Sequence, residues 1–459
     1  MDKITLTPKE HDLRNFILTD KPLKVILKIG IPIALFQLLN QFFRILDTFM
    51  AAGISAQAAS MVAYFGQLNF VFGSVAGGLS IGAALKIGQS YGSGDYKFTK
   101  KQINSMVALI GVIIVTLGVA ALVGAIPFLR LIGTPYYFIE EGSMYFFTEF
   151  FTTLLMFFNL FYIALEKAQG NSKKILVVNL ISALIKLLFT AFGLYVLNAG
   201  IIFLAISTLL SQLFIASVAI FTLNGKSEVF KISITHMSFK SEILKPIILI
   251  SLPIIFSQSV FHIGKVIVNA MLISQGSLVI GAAGIATLIT GTATTIQVGM
   301  KEAAVSVMNQ NKGAGKINRS IASVKKLVLI NTVVAIVLFF PLWFLARLIT
   351  GFFAVNDVEF HMTLLSIFQF MIWNLWPFIV TTSVNALLLT FGYTKLIFIQ
   401  NLCALFVFRI PILWLLQTFT DRGSEAAGIV MIASNVLSAI LAVIIVIRLI
   451  PTVKEFKNI

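Results

Sequence analysis

Asp47 is a single carboxylate deep in an apolar stretch that also carries Gln37, Asn40, Gln41, Arg44 and Thr48 along one helical face. A carboxylate in a low-dielectric setting binds and releases a proton or a monovalent cation according to what surrounds it, which is the chemistry of ion coupling. The same residue can instead be locked in an ion pair with Arg44 one turn away, or with Lys186, and both assignments stand at this point. A later stretch places Gln258, His262, Lys265 and Asn269 at matching positions. Lys186 and Arg409 each lie about half a span from either water edge, so they either reach for an interface or line a polar cleft and set its charge preference. With Arg44 and Lys265 they outnumber Asp47, which favours an anionic or zwitterionic cargo. His262 reads as a helix-contact residue before a proton relay, and Trp373, Trp376 and Pro377 read as packing at a kink before a stacking platform.

Other chemistries find little support. Cys403 is the only cysteine, and His11, His236, His262 and His361 show no ligand spacing, so no metal centre is expected. Gly313-Ala314-Gly315-Lys316 lacks the upstream glycine of a phosphate loop and continues into Ile317, so ATP is not the expected energy source. No nucleophile with an acid–base partner is visible near a membrane face, and the chain does not read as an enzyme.

The elements that position these residues are apolar helices. Hydrophobic residues make up 58% of the 459-residue chain and charged residues 11%, with a mean hydropathy of +0.97. Twelve stretches are long enough to cross a hydrocarbon core about 30 Å thick. They lie near 25–52, 57–85, 104–128, 144–166, 174–197, 200–223, 246–274, 278–300, 326–349, 363–391, 396–418 and 426–448. On these limits Asp47 is the only carboxylate deep in a span, with Glu149 nearer the outer end and Glu166 at the cytoplasmic end.

The last six stretches repeat the first six at a nearly constant offset: Ile31-Pro32 matches Leu252-Pro253, Gln89 matches Gln310, and Asn179-Leu180 matches Asn401-Leu402. The expected fold is therefore an all-α membrane protein of twelve transmembrane helices in two pseudo-symmetric six-helix lobes. Its parts are a cytoplasmic tail (1–24), an N-lobe (25–223), a cytoplasmic linker (224–245) and a C-lobe with a short tail (246–459). Copies with an even number of spans are parallel and related by an axis along the membrane normal, with a central cleft at mid-membrane where solute binds.

Lys and Arg sort by loop. Of 34, 27 fall in segments on one side of the membrane, and positive loops resist translocation, so both termini are expected in the cytoplasm of a plasma (inner) membrane. The formal charge of +16 is then a topology signal and not a nucleic-acid-binding surface. The expected partners are membrane lipid and a small-molecule substrate, with the protein acting as a monomer.

Four features together resemble the multidrug and toxic compound extrusion (MATE) family: Pro32 followed by Asp47; Gly88-Gln89-Ser90-Tyr91-Gly92-Ser93-Gly94-Asp95; its second copy Asn309-Gln310-Asn311-Lys312-Gly313-Ala314-Gly315-Lys316; and Gly170-Asn171-Ser172-Lys173. The resemblance covers essentially the whole chain. It implies a V-shaped two-lobe exporter of small amphipathic organic compounds, driven by antiport of protons or sodium ions, with Asp47 as the amino-lobe acid and no cofactor beyond the coupling ion. The chain departs from that pattern in three places. Lys186 stands where many members carry a second amino-lobe acid, Asn269 aligns with Asp47, and the tenth helix holds no acid. A carrier or flippase of the same superfamily for an anionic metabolite or a lipid-linked saccharide, with Lys186, Arg409 and Lys265 reading charge, is the alternative.

Overall fold

The computed structural model describes residues 4–197, 199–225, 227–354, 357–420 and 422–449. Within these, the side chains at 44, 45, 47–49, 51–53, 56, 59, 63, 67 and 277 lie outside the description. The described chain is helical: α1 Pro8–Thr19, α2 Pro22–Ile54, α3 Ala56–Ser93, α4 Tyr96–Leu131, α5 Tyr136–Gln169, α6 Ser172–Tyr195, α7 Ile202–Leu223, α8 Ser241–Ile273, α9 Ser277–Gly313, α10 Ile317–Phe344, α11 Ala346–Phe353, α12 Val358–Ile372, α13 Leu375–Phe391, α14 Thr394–Leu402, α15 Ile410–Phe419 and α16 Glu425–Leu449. A π-helical segment, Cys403–Arg409, joins α14 to α15 into one span. Among the described residues, eleven helical stretches are long and apolar enough to cross a membrane, and α12 with α13 completes a twelfth as a pair bent by 44°.

The bend has a covalent cause. Pro377 has no N–H to give to the carbonyl four residues back and its ring crowds that carbonyl, so the ladder opens at Trp373–Asn374, where α12 ends and α13 begins. Pro411 acts likewise on Val407, and there the helix widens into the π-helical segment instead of bending sharply.

The repeated Gly-x-Gly segments have a conformational reason. Gly94 (φ 85°) and Gly315 (φ 75°) are left-handed, the region where a side chain is strained, and they turn α3 into α4 and α9 into α10. Gly170 (φ 86°) and Gly392 (φ 83°), another repeat pair, end α5 and α13 in the same way.

Several limits differ from the sequence reading. Helices α3 and α9 continue well beyond 85 and 300, to Ser93 and Gly313, because Ile87, Tyr91, Val307 and Met308 still bury an apolar face there. The opening residues are not a plain polar tail. Helix α1 buries Ile17 and Leu18, and Arg14 donates from Nη2 to the Gly92 carbonyl (2.7 Å) and from Nε to the Tyr91 carbonyl (3.3 Å), which also accepts from the Gly94 N–H, so the side chain caps the end of α3.

The chain divides into two compact units. Unit 1 holds α1 and Leu39–Ile255; unit 2 holds Asp20–Leu38 and the chain from Phe256 onward. The division passes through α2 and α8, so the opening part of α8 packs in unit 1 and that of α2 in unit 2. In unit 1, α8 crosses α3 where a Cβ on Gly78 would stand 3.0 Å from the Ile255 nitrogen, and one on Gly82 would stand 3.1 Å from the Ser251 nitrogen. In unit 2, α2 crosses α9 at the repeat-equivalent positions: a Cβ on Gly299 would stand 2.5 Å from Ala34 Cα, and one on Gly30 would stand 3.3 Å from Ala303 Cβ. Small residues let the backbones approach so closely, as helix pairs in lipid require.

The connecting segment after α7 lies on unit 1. Asn104 of α4, fully buried, accepts from the Ser233 N–H (2.6 Å) and donates to the Lys231 carbonyl (3.2 Å), while Ser105 Oγ accepts from the Ser238 N–H (3.2 Å). Val229 and Phe230 are buried beside it.

Candidate functional site

The candidate polar residues of α2 are divided between the two units, while those of α8, from Gln258 to Asn269, all fall in unit 2. Gln37 is half-buried in unit 2, and its Nε2 donates to Glu302 Oε1 at 2.9 Å. Asn40 is exposed on the unit 1 part of α2. Arg44 and Asp47 continue the helix, but their side chains lie outside the described residues. Lys186 is half-buried on α6 in unit 1.

In unit 2, α8 turns Gly264, Val268 and Leu272 inward, with Gly264 against Leu405. Lys265 and Asn269 therefore lie on the face that the rest of this unit leaves open, with Gln258 and His262 half-buried at its flank. Lys265 Nζ sits 5.2 Å from the centroid of the Phe261 ring, one turn away, and that ring meets His262 edge-on at 6.3 Å. A lysine and an asparagine on an open face at membrane depth need water, protein or a polar solute opposite them.

Arg409 is placed differently. It is 5% exposed, inside unit 2, at the end of the π-helical segment. Its Nε donates to Ser434 Oγ (3.0 Å) and its Nη2 to Asn435 Oδ1 (3.1 Å); Asn435 Nδ2 in turn donates to Asn374 Oδ1 (3.0 Å). The network ties α16 to the break between α12 and α13. Trp373 and Trp376 pack there against Phe339 of α10, with ring centroids 4.9 and 5.6 Å away; Trp376 borders the core of this unit, while Trp373 remains exposed.

Sequence reasoning missed Glu302. With the eighth span ended at 300 it fell in a loop, but α9 continues, and Glu302 lies about three turns before its end. Glu302 thus joins Asp47, Glu149 and Glu166 among the acids on membrane-spanning helices. The repeat itself carried the signal, since mapping the long second span forward by the Pro32-to-Pro253 offset extends the eighth past 302. Ser434, Asn435 and Asn374 were missed as well, because nothing in a linear pattern relates three neutral residues to a distant arginine. At the far end of α5, Glu166 is 1% exposed and pairs with Lys174 Nζ at 2.7 Å, with Asn171 Nδ2 donating to it at 2.8 Å. Thr222 accepts from the same ammonium at 2.8 Å, which satisfies the pair structurally. Among the described residues no group of three or more His, Cys, Asp or Glu side chains is gathered as a metal would need.

The MatE family model matches residues 32–192 and again 253–415. The chain belongs to the MatE family. The two matches start at the repeat-equivalent prolines, Pro32 and Pro253, so the family unit is the half-chain repeat seen in the sequence. No curated protein sequence matches significantly. Among solved structures, the chain is similar to an outward-facing multidrug resistance MATE family transporter of the MOP superfamily, with a TM-score of 0.90 and 18% identity, covering 98% of this chain and 100% of that one. It is similar at a TM-score of 0.87 and 14% identity to a mutant of a Vibrio cholerae MATE transporter, covering 98% and 100%. A MOP superfamily transporter from Pyrococcus furiosus, described as having a binding pocket of reverse polarity that suggests a different function, matches at a TM-score of 0.87 and 18% identity, covering 96% of this chain and 97% of that one. The protein is thus a MATE transporter of multi-pass, all-helical membrane architecture, and members of this family are transporters rather than enzymes.

Proposed function

We propose that this MATE transporter exports small amphipathic organic compounds across the plasma (inner) membrane by antiport with protons or sodium ions, as a monomer with both termini in the cytoplasm. The observation that carries the reading is the family match over both repeats of a chain whose first membrane helix holds an acid, Asp47, on the C-terminal side of its proline, Pro32. An ion can drive such a cycle only by binding one state better than the other, so proton or sodium competes at Asp47 with Lys186 or with cargo. Purified protein in liposomes, given separate pH and sodium jumps against cationic and anionic dyes, tests it. Gradient-driven dye movement is expected in wild type and is expected to vanish in Asp47→Asn with the protein still folded. Unimpaired transport by that variant removes Asp47 from the mechanism.

A second reading, a carrier or flippase for an anionic metabolite or lipid-linked saccharide, is favoured by the neutral partners of Arg409 and the open position of Lys265. A structural relative described by reverse pocket polarity gives that reading a precedent of fold. Anion movement with no cation efflux supports it over the first.

A further inference from the structure

We propose that Arg409, with Ser434 and Asn435, forms a binding site inside unit 2 for an oxyanion, a carboxylate being the form that fits it best. Arg409 lies on a 26-residue span, Thr394–Phe419, about 22 Å from its Thr394 end at the helical rise per residue. Neither water edge is close. Its partners among the described residues, Ser434 and Asn435, are both neutral. Neutral oxygens solvate a guanidinium without neutralising it, and a charge so deeply buried calls for a counter-charge. The geometry says where that charge binds. The two existing bonds occupy the Nε/Nη2 edge of the fork. The Nη1/Nη2 end carries two of the remaining N–H groups; among the described residues Nη1 makes no hydrogen bond, and the residue keeps 5% of its surface exposed. Two near-parallel N–H vectors at that end match the two oxygens of a planar carboxylate.

The site is also preorganised. Ser434 Oγ donates to the Met431 carbonyl (3.1 Å) and Asn435 Nδ2 to Asn374 Oδ1 (3.0 Å), so both turn an acceptor toward Arg409 and fix the guanidinium plane before any ligand arrives. Asn374 stands at the 44° break between α12 and α13. A change in that bend moves Asn374, then Asn435, then the guanidinium, so occupancy of the site and the angle of the broken span are linked.

That the oxyanion belongs to cargo rests on the transport reading above; its binding does not, and is measured without a gradient. Purified full-length protein in detergent is melted while sodium benzoate is titrated, with sodium chloride at equal ionic strength and tetraphenylphosphonium chloride as controls. Benzoate is expected to raise the melting temperature saturably and the controls are not. Asn435→Asp sets a carboxylate against the guanidinium, and is expected to melt no lower than wild type while needing at least tenfold more benzoate for half its shift. Arg409→Lys keeps the charge but loses the fork, and is expected to weaken benzoate to a similar degree. Inorganic phosphate acting where benzoate does not, with the same loss in Asn435→Asp, supports the oxyanion site with phosphate as its form. No saturable response to either anion, or a benzoate response unchanged in both variants, overturns the proposal.

Discussion

Replacing Gly299 by alanine tests the packing that places the opening part of α2 in unit 2. The added Cβ would stand 2.5 Å from Ala34 Cα, 2.7 Å from its nitrogen and 2.9 Å from its Cβ. Carbon atoms pack at about 3.5–4.0 Å, so α2 must retreat by about 1 Å, and because the obstacle is backbone no rotamer change relieves it. Overpacking of this kind costs about 1–3 kcal/mol. Alanine also gains about 0.8–1.0 kcal/mol of helix propensity over glycine, which masks part of the cost. Gly284→Ala on the same helix provides the control, since its Cβ meets nothing within 4 Å and gains the same propensity. The difference between the two variants isolates the clash, and about 1.4 kcal/mol of it is a tenfold change in the folded ratio. Melting in detergent, followed by loss of the monodisperse size-exclusion peak, is the assay. Gly299→Ala is expected to melt below both wild type and Gly284→Ala, and Ala34→Gly on that background to restore only part of the loss, because the Cα and nitrogen contacts remain. The repeat-equivalent Gly78→Ala is expected to behave like Gly299→Ala, through the Ile255 backbone. Equal stability of Gly299→Ala and Gly284→Ala would refute the close approach of α2 to α9.

The segment after α7 offers two further tests. Asn104→Ala removes both hydrogen bonds that hold Lys231 and Ser233 to α4; bonds of this type contribute about 0.5–1.5 kcal/mol each, so limited proteolysis between Phe230 and Lys240 is expected to speed up roughly tenfold while the helical core stays intact. Nearby, burial and then the charges of Lys100 and Lys101 hold the His236 pKa below its ordinary value. A depressed histidine pKa means the docked segment favours the neutral ring, so docking is at full strength above about pH 6.5 and weakens as pH falls below it. Proteolysis of the same segment is expected to rise between pH 7.5 and 5.5, and a flat profile would remove His236 from the account.

Much of this protein was legible in its sequence because lipid imposes a severe rule. Backbone polar groups must be satisfied within each crossing segment, so apolar length alone marks the spans. The twelvefold pattern, the repeat that pairs Pro32 with Pro253 and the family resemblance through Pro32, Asp47 and the Gly-x-Gly segments all follow from residues read in order, and the fold and the family match agree with them. Span ends were less legible: hydropathy falls near 85 and 300, yet α3 and α9 run on, because their continuation is buried by protein and not by lipid. Only the tertiary structure decided which unit each half of α2 and α8 joins, since that depends on where glycines allow two backbones within contact. It also decided the surroundings of the charges. Lys265 and Arg409 are both cations within spans, but one lies on an open helix face and the other is enclosed by Ser434 and Asn435. Sequence spacing sets which face of its own helix a side chain occupies; what stands across from that face is a property of the packed chain.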